Sequence, residues 1–67
     1  MIVVNGERSQ LAAGATVAQV LATLGLEVDA RGVAVAVDGE VVPRRQWGGF
    51  ALGAQAHVEV LTAMQGG

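Results

Sequence analysis

The sequence predicts an α+β domain in which one main helix crosses one face of a mixed four- or five-stranded sheet. Three features of the 67-residue chain lead to this prediction: several short β-branched runs, two turn pairs of the Asn-Gly or Asp-Gly type, and one segment with helical spacing of apolar residues. A helix with one apolar face has to bury that face, and the apolar face of a sheet provides the surface. A chain of this length forms one domain.

The chain begins with a predicted hairpin. Residues 2–4 are β-branched and lead into Asn5-Gly6, a pair typical of hairpin turns in which both central residues adopt positive φ. A second, weaker strand is expected from about Glu7 to Leu11. Residues 12–14 then break the pattern, so the hairpin ends before the helix.

The helix is the clearest element of the sequence. Thr16 and Gln19 have the spacing of a capping box, in which each side chain accepts a hydrogen bond from the other residue's backbone N–H. The apolar residues at helical spacing are Val17, Val20, Leu21 and Leu24. Gly25 follows and suits the left-handed residue that ends many helices. These features predict a helix from about Thr16 to Leu24.

The second half of the chain predicts the remaining strands. A loop from Glu27 to Gly32 precedes a strand over residues 33–37, in which valines occupy one face and alanines the other. Asp38-Gly39 is a second hairpin turn and leads to a strand over residues 40–42. Pro43 limits that strand to a short or edge position, because proline lacks the N–H of a ladder bond.

A long loop and one more strand complete the prediction. Residues 44–56 are expected to be loop with one short turn, and residues 58–60 begin a strand that ends near Thr62. The chain is therefore expected to consist of a folded domain, residues 1–62, and a flexible C-terminal tail, residues 63–67.

Composition and charge exclude several functional classes. The formal net charge is −2 and the four basic residues are all arginine, too few cations for binding to nucleic acid. The chain has no cysteine, so it forms no disulfide framework and no thiolate metal site. It also lacks a run of about 18 apolar residues and the basic start of a signal peptide. We therefore expect a cytoplasmic protein that binds no metal, membrane or nucleic acid.

The sequence contains no group of residues that supports catalysis. His57 is the only histidine and has no cysteine to pair with, so we expect it to be exposed and without function. Ser9 has no base near it, and no phosphate-binding glycine pattern precedes the helix. The acidic residues are scattered: Glu7, Glu27, Asp29, Asp38, Glu40 and Glu59. No catalytic residue is assigned, and we do not expect an enzyme.

The C-terminus has the one pattern that suggests chemistry. Gly66 and Gly67 have no side chains, so they could pass through a narrow channel and bring a terminal carboxylate into a partner's active site. Residues 63–67 reach roughly 17 Å when extended. The α-carboxylate is ionised near neutral pH and can attack the α-phosphorus of ATP. The alternative is a frayed chain end, which is common in proteins.

Several motifs, spread over nearly the whole length, make the chain similar to a known family. They are the Asn5 turn, Ala13-Gly14-x-Thr16-Val17 at the helix start, the strand and turn of residues 34–39, Val42-Pro43-Arg44-x-x-Trp47, residues 58–60, and the final Gly66-Gly67. With these motifs the chain resembles the ThiS sulfur-carrier proteins of bacterial thiamine biosynthesis, which are ubiquitin-like β-grasp domains. It departs from many relatives where Ala54-Gln55-Ala56 replaces an Asp-Gly-Asp turn.

The resemblance implies a specific carrier role. A ThiF-type enzyme would adenylate the carboxylate of Gly67 with Mg-ATP, and sulfur from a cysteine desulfurase relay would displace AMP. Gly67 would then be a 1-thioglycine, whose thiocarboxylate supplies sulfur to the thiazole synthase ThiG. Gly66, Gln65 and Met64 would occupy the partner's channel, and the chain itself would bind no cofactor.

Three residues are candidate partner contacts, each with a structural alternative. Trp47 either anchors its loop on the core or lies at an interface, where tryptophan is enriched. Arg44, beside Arg45, either pairs with an acidic partner surface or is solvated. Leu61 borders the tail, where an exposed apolar residue would contact a partner that docks on the tail.

Two other functions stay open. A molybdopterin-synthase small subunit also ends in Gly-Gly and carries a thiocarboxylate, usually on a somewhat longer chain, and the segment from Pro43 to Trp47 favours the ThiS family over it. The second alternative belongs to a different class, a passive β-grasp protein-interaction module in which Gly66-Gly67 is only a frayed end.

Overall fold

The mixed sheet predicted from the sequence forms with five strands. The computed structural model describes residues 1–26 and 31–63. Its elements are β1 Val3–Val4, β2 Glu7–Arg8, α1 Val17–Thr23, β3 Val33–Val37, β4 Glu40–Val42, a 3-10 helix Arg44–Gln46, and β5 His57–Thr62. The strand order is β2-β1-β5-β3-β4, in which β1 and β5 are parallel and the other neighbours are antiparallel. The division into a domain and a tail stays a prediction, since the described residues end at Ala63.

Two tight turns connect the hairpins. Asn5 and Gly6 have φ values of 51° and 82°. Asp38 and Gly39 have φ values of 51° and 88°. Two successive positive φ values are what a two-residue type I′ hairpin turn requires, and its twist matches that of the flanking strands. Both predicted hairpins are confirmed.

The second strand is shorter than predicted. β2 ends at Arg8, so the expectation that it extends to Leu11 is wrong. The Ser9 N–H still donates to the Ile2 carbonyl at 2.8 Å. The Ser9 Oγ then accepts the Leu11 N–H at 3.0 Å, and this local side-chain bond replaces a ladder bond to a neighbouring strand.

The N-terminus of α1 has its backbone donors satisfied within the fold. Thr16 Oγ1 accepts the Gln19 N–H at 3.2 Å and Gln19 Oε1 accepts the Thr16 N–H at 2.8 Å, which confirms the capping box. The Val17 and Ala18 N–H groups donate to the carbonyls of residues 50 and 47, both at 3.1 Å. The long loop before β5 therefore caps the helix, and these N–H groups are not available to an anion.

The C-terminus of α1 is a Schellman motif. Gly25 has a φ of 78°, its N–H donates to the Ala22 carbonyl at 3.1 Å, and the Leu26 N–H donates to the Leu21 carbonyl at 2.9 Å. The chain changes direction here, so Leu24 is 45% exposed and Leu26 packs against the core in its place. The prediction that Leu24 lies on the buried face is therefore wrong. None of the described helices is long and apolar enough to cross a membrane.

The core lies between α1 and one face of the sheet. In β3, Val35 and Val37 are buried while Ala34 and Ala36 lie on the other face, which confirms the predicted alternation. The other buried apolar residues are Ile2, Val17, Val20, Leu21, Val42, Trp47, Leu52, Ala56, Val58 and Val60. Aliphatic side chains therefore fill most of the core, and tryptophan is its largest member.

Trp47 anchors the long loop that follows β4. Its side chain is 2% exposed, and its Nε1–H donates to the Val42 carbonyl at 2.8 Å. The short turn predicted in this loop is the 3-10 helix that Pro43 precedes. A further turn before β5 is closed by a 3.3 Å bond from the Ala56 N–H to the Gly53 carbonyl, although the sequence lacks the Asp-Gly-Asp pattern there.

Replacing Trp47 by Phe should lower the free energy of unfolding by about 2 to 3 kcal/mol, because the buried hydrogen bond from Trp47 Nε1–H to the Val42 carbonyl is lost and a small void remains. Urea unfolding followed by circular dichroism measures the change. Arg45→Ala, at an exposed position of the same 3-10 helix, is the control and should change the value by less than about 0.5 kcal/mol. Equal stability of the Trp47→Phe variant and the native chain would show that this hydrogen bond does not hold the loop.

Candidate functional site

The structure shows from which point of the fold the predicted tail departs. The predicted tail residues that lie outside the described part of the chain are Met64, Gln65, Gly66 and Gly67. β4 and β5 are both antiparallel to β3, and Val42 and Val60 both lie opposite Val35. The two strands therefore run in the same direction, and the residues after them leave the sheet at one end, here called the exit end.

Gly32 holds Ala63 at the exit end. The Ala63 N–H donates to the Gly32 carbonyl at 2.6 Å, one step beyond the last β3–β5 pair. Gly32 has a φ of 73°, which L side chains rarely adopt, and a Cβ built there would lie 3.2 Å from the Ala63 Cβ. A side chain at Gly32 would therefore strain the backbone and press on the residue from which the tail departs.

Asn5 holds β5 on its other side. The Asn5 N–H donates to the Val58 carbonyl, and the Asn5 Oδ1 accepts the Val60 N–H, both at 2.8 Å. β1 ends at Val4, so the carboxamide oxygen supplies the acceptor that a longer β1 would have supplied. Asn5 therefore serves both the first hairpin turn and the strand that leads to the tail.

The sheet face opposite α1 carries two large exposed apolar residues. Leu61 is 68% exposed and Val41 is 76% exposed. Leu61 lies opposite Ala34 and Val41 lies opposite Ala36, so two small residues of β3 separate them. Leu61 is thus an exposed apolar residue beside the root of the tail. Its contact with a partner stays a prediction.

The other two candidate contacts differ in burial. Arg44 is exposed, follows β4 at the exit end, and has its guanidinium carbon 5.8 Å from the centre of the Trp47 ring. Trp47 belongs to the core, so it anchors its loop and offers almost no surface to a partner. The interpretation of Trp47 as an interface residue is therefore corrected. Arg44 opens the 3-10 helix that follows β4, and Leu61 lies near the end of β5, so both are at the exit end of the sheet.

His57 lies at the other end of β5. It is exposed, as predicted, and its backbone N–H donates to Asp38 Oδ1 at 3.0 Å. A groove of about 550 Å³ between the two hairpin turns includes both residues and Glu59. Within residues 1–26 and 31–63, no group of three or more His, Cys, Asp or Glu could hold a metal ion.

A second groove lies between the first hairpin and the end of α1. Its volume is about 570 Å³, and its apolar lining residues are Val4, Leu11 and Leu24. The rest of its lining is polar and comes from the first hairpin, from the two residues after β2, and from Thr23 of α1. Neither groove includes Gly32 or residues 61–63 in its lining.

Sequence reasoning finds Asn5 and Gly32 only as turn and loop residues. The partner of the Asn5 carboxamide is Val60, 55 positions away, and nothing near Asn5 in the sequence indicates it. The role of Gly32 could have been inferred if the pairing of β3 with β5 were known. Val33 lies opposite Thr62, and this register places Gly32 opposite Ala63. Conversely, the structure buries Trp47 in the core, whereas Arg44 and Leu61 are exposed at the exit end.

The chain is similar to one protein family over nearly its whole length. A family model described as the ThiS family matches residues 2–67. The crystal structure of a thiamine biosynthesis protein (ThiS) from Geobacter metallireducens is 31% identical, with a TM-score of 0.75, covering 98% of this chain and 97% of that chain. A solution NMR structure of a thiamine biosynthesis protein from the same organism is 30% identical, with a TM-score of 0.74, covering 98% and 86%. No curated protein matches. The shared architecture confirms the predicted β-grasp fold.

Replacing Asn5 by Gly should lower the free energy of unfolding by about 1 to 2 kcal/mol, because the turn tolerates glycine but the Val60 N–H loses its acceptor. Amide hydrogen exchange at Val60 should become faster in the same variant. Asn5→Asp is the matched control, since it keeps an acceptor oxygen and tolerates positive φ. If Val60 stays equally protected in Asn5→Gly, the carboxamide does not hold β5.

Proposed function

The chain belongs to the ThiS family of sulfur carriers in thiamine biosynthesis, and we propose that Gly67 carries the sulfur as a C-terminal thiocarboxylate. The observation that carries this proposal is the family match over residues 2–67, which includes both terminal glycines. The chain has no cysteine, so no side-chain thiol could hold a persulfide. An activated terminal carboxylate is the group that remains for covalent sulfur.

The chemistry proposed for Gly67 has three steps, all performed by partner enzymes. A ThiF-type enzyme uses Mg-ATP: a carboxylate oxygen of Gly67 attacks the α-phosphorus and pyrophosphate leaves. The acyl-adenylate has the leaving group that a carboxylate lacks, so the terminal sulfur of a persulfide from a cysteine desulfurase relay can attack the carbonyl carbon and release AMP. A thiol of a partner then attacks the cysteine sulfur of the resulting acyl disulfide, which forms a disulfide and releases the thiocarboxylate. The thiazole synthase ThiG then takes up the sulfur. The chain acts as a substrate of these enzymes, and we propose the cytoplasm as the compartment.

The position of Ala63 supports delivery of the tail to a partner. Ala63 is exposed at the exit end, where the Gly32 carbonyl holds its N–H. Four further residues can reach at most about 14 Å. A partner that receives Gly67 in its active site therefore has to contact the exit end of the sheet, because the tail is too short for the domain to stay away from it.

Leu61 and Arg44 are the residues of the exit end that suit such a contact. Leu61 presents an apolar side chain that is 68% exposed, two positions before Ala63. Arg44 presents a cation on the same end, suited to an acidic partner surface. Trp47 contributes indirectly, because it holds the loop that carries Arg44.

Incubation of the native chain with an adenylating enzyme, Mg-ATP and a sulfur donor should replace one oxygen by one sulfur on Gly67, measured by intact-mass and fragment-ion spectrometry. Deleting Gly67 should abolish this shift and leave the unfolding midpoint nearly unchanged, since the buried core residues of the described chain lie between Ile2 and Val60. Thiazole formation supported by the deletion variant would contradict the assignment.

Replacing Leu61 by Gln should weaken binding to the adenylating enzyme by about 1 to 2 kcal/mol, because an apolar side chain no longer becomes buried in the complex. Isothermal titration calorimetry measures the change. Leu24→Gln is the matched control: Leu24 is also a partly exposed leucine, but it lies at the end of α1 and not on the outer face of the sheet. Equal effects of the two substitutions would show that the partner does not use the face of Leu61.

A further inference from the structure

The two sides of β5 differ in how completely they are paired. On the β3 side, every residue of β5 has a partner, and the Ala63 N–H continues the pairing to Gly32. On the β1 side, the ladder contains only His57 and Val58. Asn5 extends this ladder by two hydrogen bonds: its N–H donates to the Val58 carbonyl, and its side-chain oxygen accepts the Val60 N–H.

Hydrogen bonds to β3 alternate along β5, and this alternation shows which backbone groups of β5 face the β1 side beyond Asn5. Asp38 N–H to His57 O and Ala63 N–H to Gly32 O place the odd-numbered residues of β5 in the hydrogen-bonded pairs with β3. The even-numbered residues therefore direct their N–H and C=O groups to the β1 side. Beyond Asn5 these are the Val60 carbonyl and both backbone groups of Thr62.

Among residues 1–26 and 31–63, no backbone group pairs with these three groups of Val60 and Thr62. Thr62 is also exposed. We call this edge, from the Val60 carbonyl to the Thr62 carbonyl, the β5 notch. It lies directly before the tail, between the Asn5 turn and Ala63.

The β5 notch differs from the outer edges of the sheet. β2 forms one outer edge and carries Glu7 and Arg8, and β4 forms the other and is followed by Pro43. Charged side chains and proline are the features that protect sheet edges from pairing with another chain. Residues 60–62, Val-Leu-Thr, have neither, and β-branched and apolar residues favour strand pairing.

We propose that the β5 notch receives an extended segment of the adenylating partner, which adds a short strand beside residues 60–62. This rests on the proposed function, because the partner that takes up Gly67 must contact the chain within four residues of Ala63. Main-chain hydrogen bonds to Val60 and Thr62 would fix the direction and register of the tail where it enters the partner. The exposed Leu61 side chain would add an apolar contact on the outer face.

A second copy of this chain is a less suitable occupant. The three groups of the notch allow only two or three hydrogen bonds, which is small beside the interface of a stable dimer. Pairing of two notches would also place each tail against the other copy and block its delivery. The partner's segment has no such conflict, since it lies next to the site that the tail enters.

Hydrogen exchange tests the proposal on the native chain. The Thr62 amide should exchange rapidly in the unbound chain and at least about tenfold more slowly in the complex with the adenylating enzyme. The Ala63 amide is the internal control, because it is already bonded to Gly32 in the unbound chain. Unchanged exchange at Thr62 in a complex that adenylates Gly67 overturns the notch proposal and leaves the proposed function intact.

Removing the Thr62 N–H tests the same proposed hydrogen bond through the affinity of the chain for the adenylating enzyme. Thr62→Pro removes the Thr62 N–H without removing a donor to β3, and should raise the dissociation constant of the enzyme complex at least about fivefold. Thr62→Val keeps the N–H and is the control, with a change of less than about twofold. Should Thr62→Pro fail to fold, a synthetic chain with an ester in place of the Thr62 amide removes only the N–H and should show the same loss.

The remaining outcomes separate the hypotheses. Native affinity of the ester chain overturns the notch proposal. A dimer of the native chain that the ester chain loses in sedimentation, with unchanged enzyme affinity, assigns the notch to a second copy and also overturns it. A native chain that neither binds nor is adenylated by the enzyme overturns the proposed function together with the notch.

Discussion

Pairing of β5 with β1 on one side and with β3 on the other brings the first and last parts of the described chain into one sheet. The buried residues Val58 and Val60 of this strand form part of the surface on which α1 packs. A seven-residue helix is not stable in isolation, so α1 depends on that surface. The same strand leads to the predicted tail, and one set of backbone bonds therefore determines both the core and the position from which that tail departs.

The long loop between β4 and β5 compensates for the small size of the domain. Its carbonyls accept the first N–H groups of α1, and Trp47 supplies the largest side chain of the core. Among the described residues, no buried side-chain polar atom lacks a hydrogen-bond partner. These interactions all lie within the described residues and precede the predicted tail.

Local signals predicted the elements whose structure depends on neighbouring residues. The turns at Asn5-Gly6 and Asp38-Gly39 follow from backbone preference, and the start of α1 follows from the Thr16 and Gln19 side chains. The errors occur where one local feature overrides another, as where the Ser9 side chain ends β2 before Leu11. Leu24 has the spacing of a core residue, but the Schellman motif turns it outward and places Leu26 against the core.

At the candidate site, the limit of the sequence prediction is set by contacts between residues that are distant in sequence. Exposure of Leu61 follows from the alternation of β5, because its neighbour Val60 faces α1. Burial of Trp47 could be stated only as one of two interpretations, since a loop tryptophan gives no periodicity. The roles of Asn5 and Gly32 require the pairing of strands that are far apart in sequence. The family resemblance adds what periodicity lacks, namely a reason to assign chemistry to Gly67.

An unpaired strand edge is normally a risk, because it can pair with any extended chain. Here the short length of the unpaired edge limits that risk. The Asn5 carboxamide ends the edge on one side and the start of the tail ends it on the other. Only Val60 and Thr62 therefore contribute unpaired backbone groups. Under the proposed function, the carrier passes from an adenylating enzyme to a thiazole synthase and would have to be recognised by two unrelated active sites. Main-chain hydrogen bonds suit this requirement, because any partner with an extended segment can form them. Specificity can then come from the exposed side chains of Leu61 and Arg44, while Gly66 and Gly67 stay bare enough to enter each site.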